Sequence, residues 1–87
     1  MLTVTDNAVR HMAEVLYQSD TDDEMSIRFV QEGRTIVPKL DQERPGDITY
    51  EYAGSTVLLL DENVFALLEN KTLDVQDTDD GQQLTLN

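Results

Sequence analysis

The run Ser-Thr-Val-Leu-Leu-Leu at residues 55–60 is apolar at four consecutive positions, Val57 to Leu60. An extended segment without a polar face has to be covered on both sides, so it reads as a central strand and as the deepest element of the fold. The rest of the chain must supply that cover. With 87 residues the chain makes one domain, residues 1–87, with a single modest core.

The hydrophobic pattern changes period several times along the chain, and each change marks an element. Residues 2–5 alternate as a short strand. Thr5 then N-caps a helix that runs to about Ser19, with Ala8, Val9, Met12, Val15 and Leu16 on one face. Val4 and Val9 flank that cap at the spacing of a hydrophobic staple. Residues 19–24 read as an acid-rich loop, and Met25, Ile27 and Phe29 alternate along the next strand. Gly33 turns the chain, Arg34–Leu40 is extended with Pro38 marking an edge or a bulge, and Asp41–Asp47 is a turn cluster. Ile48, Tyr50 and Tyr52 then share one side of the strand that leads to the apolar run.

Asp61 caps a short second helix over residues 62–70, with Val64, Phe65 and Leu68 as its buried stripe and Leu60–Phe65 as its staple. Residues 72–86 end in a hairpin. Leu73 and Val75 alternate outward, Asp80-Gly81 suits a two-residue type I′ turn, and Leu84 and Leu86 alternate back. The order strand, helix, several strands, short helix, hairpin has no βαβ rhythm and predicts an α+β fold.

Charge and chemistry narrow the function classes. Eighteen acidic against six basic residues give a net charge of −12, which repels phosphate backbones and argues against nucleic acid as a partner. No basic leader precedes a long apolar run, and no stretch approaches the roughly 18 apolar residues of a membrane span, so the expectation is a cytoplasmic protein without a membrane partner. The absence of cysteine excludes disulfides, thiolate metal sites and cysteine nucleophiles. His11 is the single histidine and lies at the flank of the first helix's apolar stripe, as a boundary residue rather than a ligand. Phosphate-loop, zincin and nucleophile-elbow motifs are absent, which predicts no enzyme and no cofactor. The acid clusters raise an alternative, a protein that binds divalent cations through carboxylates, but neither cluster has EF-hand spacing.

The segments "LTVTDNAVRHM", "IRF", "RPGDITYEYAGSTVLLLDENVFALLENKTLDV" and "DTDDGQQLTL" together resemble the HesB/IscA-like family, the A-type carriers of iron–sulfur cluster assembly. The resemblance covers nearly the whole chain and is most telling over residues 45–75. It implies a compact, buckled mixed β-sheet, a pseudobarrel, with two helices and a C-terminal β-hairpin. It also implies three cysteine ligands: one after the second strand and two in a Cys-Gly-Cys tail beyond the last hairpin. This chain has none of them, and the region that would carry the first reads "VQEGRTIVPK", shorter than the usual form. No ligand residue can therefore be carried over.

What remains is a surface role. Arg28, Arg34, Lys39 and Arg44 fall between residues 28 and 44, among only three acids, and make a candidate partner contact on an otherwise negative chain. The expectation is a non-catalytic interaction or accessory module whose partner is a protein, with the iron–sulfur assembly machinery as the candidate and a homodimer implied by the resemblance. The acid excess also fits a salt-adapted chain, because high ionic strength screens self-repulsion. If so, the melting temperature is higher in molar salt than in dilute buffer, and an equal value in both contradicts the idea.

Overall fold

Val57, Leu58, Leu59 and Leu60 are at most 1% exposed, so the apolar run is the deepest strand, as its composition requires. The computed structural model describes residues 2–19 and 24–87. In chain order the elements are β1 (Thr3–Val4), α1 (Asp6–Gln18), β2 (Met25–Glu32), β3 (Thr35–Gln42), β4 (Ile48–Tyr52), β5 (Ser55–Leu60), α2 (Glu62–Leu67), β6 (Thr72–Thr78) and β7 (Gly81–Leu86). They form two sheets, ordered β3-β2-β5-β4 and β1-β6-β7. The expected mixed α+β architecture with two helices and a terminal hairpin is present, and the sheets do not close into a barrel. The acid-rich loop expected at residues 19–24 lies mostly outside the described residues. Among the described residues, no helix is long and apolar enough to cross a membrane.

β5 lies beside β2 in parallel, Ile27 opposite Leu58 and Arg28 opposite Leu59, and beside β4 antiparallel. Leu58 and Leu60 join Ile27, Phe29, Ala8, Met12 and Leu73 in the main cluster between the sheets and α1. Leu59 is equally buried but stands outside that cluster, on the second face of the sheet.

Both helix starts form as the sequence requires. The Thr5 hydroxyl accepts a hydrogen bond from the Ala8 amide at 3.1 Å and donates one to Asp74 Oδ1 at 2.8 Å, so a single cap also ties α1 to β6. Asp61 accepts from the Val64 amide at 2.8 Å. The second helix is shorter than expected and ends at Leu67. Asn70 is left-handed, with φ of 66°, and the Lys71 amide bonds back to the Leu68 carbonyl, which breaks the helical register while keeping Leu68 buried.

Two further expectations shift for local reasons. Thr78 pairs with Gly81, so the terminal turn is Asp79-Asp80 rather than Asp80-Gly81. Both aspartates keep negative φ, and the positive φ falls on Gly81 at 109°, a conformation that glycine adopts without a Cβ clash. The Thr78 hydroxyl completes the turn by donating to the Gly81 carbonyl at 2.7 Å. Tyr52 does not share the buried side with Ile48 and Tyr50, because the register shifts after Tyr50 and leaves Tyr52 40% exposed.

Candidate functional site

Of the four basic residues expected at a contact surface, Arg28 is not on the surface. It alternates with Ile27 and Phe29 along β2, so its side chain projects to the face opposite the core, where β5 presents Leu59. That face is covered too, and Arg28 is only 6% exposed. Burying a guanidinium requires that its donors be met by acceptors. Asp47 takes two of them, at 2.6 Å and 3.0 Å, Asp41 takes Nε at 2.8 Å, and the Gln42 carbonyl takes another at 3.2 Å. Asp47 also accepts the Arg44 amide at 2.7 Å, which closes the turn that leads into β4. The hydrogen bonds from Arg28 hold the Asp47 carboxyl below the usual carboxylate range; Asp41 is lowered first by the Gln42 amide and then by Arg28. Arg28 is thus a structural ion-pair centre, and its place in a partner contact is corrected.

The other three are accessible. Arg34 is the second residue of the two-residue turn between β2 and β3 and has no side-chain partner among the described residues. Lys39 pairs with Glu32 at 2.7 Å, both about half exposed, and Arg44 reaches Asp41 at 2.8 Å with its own side chain 67% exposed. Lys39 stands directly opposite Arg28 across the ladder, a like-charge juxtaposition that the neighbouring carboxylates offset. The structure therefore brings Lys39 and Arg44 to one side of the β2–β3 hairpin and leaves Arg34 at its tip.

A groove of about 590 Å³ opens on the other face of that hairpin, between β3, α1 and β7. Val15, Leu40 and Leu86, each 39–45% exposed, lie along it beside Met12, Phe29 and Leu84. Val15 was expected on the buried stripe of α1; it faces this groove instead, because no strand covers that flank of the helix. His11 lines the same groove, half-buried. Among the described residues, no group of three or more His, Asp or Glu side chains is placed to hold a metal ion.

No protein-family model matches the chain, and no curated protein sequence does either. Solved structures do. Escherichia coli SufA, involved in biosynthesis of iron–sulfur clusters, aligns over 99% of this chain and 83% of its own, with a TM-score of 0.75 and 19% identity. The chain has the HesB/IscA-like fold. A structure of IscA with a [2Fe-2S] cluster aligns over 100% of this chain and 84% of its own, with a TM-score of 0.62 and 15% identity. In this chain, the strand-to-strand connection after β2 is a tight turn, Gly33-Arg34, and the sequence contains no thiol at all.

The Arg28 cluster makes a test of both stability and pH. Arg28→Met leaves Asp47, only 5% exposed, without its main partner and is expected to destabilise the fold by about 3 kcal/mol in urea unfolding. Because the folded Asp47 carboxyl is depressed, its contribution is complete above the ordinary carboxylate value of 3.8 and is lost as pH falls below it. The stability difference between wild type and Asp47→Asn should therefore shrink as pH drops through that range, and a constant difference contradicts the assignment.

Proposed function

We propose that this chain is a HesB-like module that works in or beside iron–sulfur cluster assembly through protein contacts, without ligating a cluster itself and without catalysing a reaction. One observation carries the reading: the fold of the A-type carriers extends over the full length of a chain that contains no cysteine. Clusters require soft thiolate ligands, with imidazole as an occasional partial substitute. His11, the single histidine, comes from α1 and lines an apolar groove, and one imidazole does not replace a set of three thiolates. Among the described residues, no grouping of side chains supports the carboxylate alternative.

The contact surface we assign to this role is the tip and outer side of the β2–β3 hairpin, with Arg34, Lys39 and Arg44. On a chain of net charge −12, an exposed arginine at a hairpin tip favours a partner that presents carboxylates and gives the encounter a fixed orientation. The experiment is affinity purification from the native host with wild type and the Arg34→Glu/Lys39→Glu variant. Recovery of the specific partner should fall about tenfold with the variant, with the melting temperature within a few degrees of wild type. Equal recovery by both proteins removes the hairpin from the interface, and a purification without cluster-assembly proteins removes the link to that process.

A further inference from the structure

The four sheet edges are not equally protected. β1 is only two residues long, and β4 carries Glu51 and a register shift. β3 carries Pro38: because Glu32 and Thr35 close a two-residue turn, alternate residues from Thr35 onward bond β2, and Pro38 falls at an outward position where its missing amide interrupts the edge. Short strands, charges, bulges and prolines are the devices that keep sheet edges from pairing with other chains. β7, Gly81–Leu86, has none of them: it contains no charge, no proline and no irregularity along its ladder with β6.

The backbone of β7 also points its free groups in a definite direction. Thr72 and Asn87 exchange both backbone hydrogen bonds at 3.0 Å, so the bonded pairs alternate from there as Asp74–Thr85 and Gln76–Gln83. The amides and carbonyls of Gln82, Leu84 and Leu86 are left directed at the open edge. The side chains of the same three residues line the groove described above, which among the described residues is bordered by no Asp or Glu. At one end of β7 the hairpin reverses this character, with Asp77, Asp79 and Asp80 all exposed.

We propose that β7 takes an extended segment of another protein as an added strand, one whose groove-facing side chains are apolar and whose end beside the acidic turn carries a basic residue. This deepens the interaction role proposed above and uses a different surface from the Arg34 hairpin. An added strand satisfies the outward amides and carbonyls, and its residues opposite Gln82, Leu84 and Leu86 share their face and enter the groove over Val15 and Leu40. The acidic turn then meets a cation. A second copy pairing through its own β7 supplies no such cation, because that strand is uncharged and its turn is acidic.

The test is amide hydrogen exchange on the labelled protein with a ten-residue peptide of alternating valine and threonine that ends in Lys-Arg. Saturating peptide should slow exchange at Gln82, Leu84 and Leu86 at least tenfold, and a version N-methylated at alternate residues should not. Leu86→Lys should weaken binding tenfold or more; Gln82→Lys, at an exposed position, serves the same purpose if the first variant loses its fold. Absence of binding at millimolar peptide, or protection confined to other strands, overturns the proposal. Protection of β7 that rises with protein concentration without peptide also overturns it, by making a second copy the occupant. Native-partner capture through the Arg34 hairpin is measured separately, so the two readings fail independently.

Discussion

A guanidinium buried between two carboxylates fixes the region around which the candidate surfaces are arranged. β5 is apolar on both faces, so the strand beside it is covered on both faces as well, and Arg28 on β2 is left almost entirely out of water. Removing a charge from water costs several kcal/mol, which is offset only where partners are placed around it. Asp41 at the end of β3 and Asp47 after the turn are those partners, at 2.6–3.0 Å. Their positions hold β3 along the length of β2, close the turn before β4, and set the direction in which the hairpin carries Arg34.

The second anchor is smaller and sits on the other sheet. Thr5 caps α1 and bonds Asp74, while the Thr3 and Thr5 amides bond the backbone of the segment that begins β6. The helix is thus fastened at its start to the three-stranded sheet and packs by Ala8 and Met12 into the common core. Toward its far end no strand lies over Val15, and the two sheets diverge from β3 to β7. The groove is the consequence: each sheet is held to the core by its own anchor, and the space between their last strands is lined by side chains that neither sheet covers.

Much of this was legible in the chain. The two caps, the central strand and the edge position of Pro38 all follow from local rules, because each depends on residues within four or five positions of one another. Arg28 was misplaced because strand alternation alone assigns the residue between Ile27 and Phe29 to solvent. The correcting signal was present in Val57–Leu60: a strand apolar on both faces implies that its neighbour's second face is buried, and a buried arginine implies nearby carboxylates such as Asp41 and Asp47. Val15 was misassigned for the converse reason, since helical periodicity marks an apolar stripe without saying whether anything lies over it. The terminal turn moved by one residue because a glycine after two aspartates fits either of two hairpin geometries, and the ladder from Thr72 to Asn87 decides between them.

The fold and the chemistry of the chain point in different directions. Its backbone follows that of SufA and IscA, yet the turn after β2 holds Gly33 and Arg34, and no side chain in the sequence offers sulfur as a thiolate. On the reading proposed above, such a scaffold acts through surfaces, a basic hairpin tip and an open strand edge, in place of ligands. Iron and labile sulfide content after anaerobic purification and cluster reconstitution tests that account most directly. Protein that elutes colourless, with iron and sulfide far below one per chain, is the result expected; a brown protein that retains both at a fixed stoichiometry through gel filtration contradicts it.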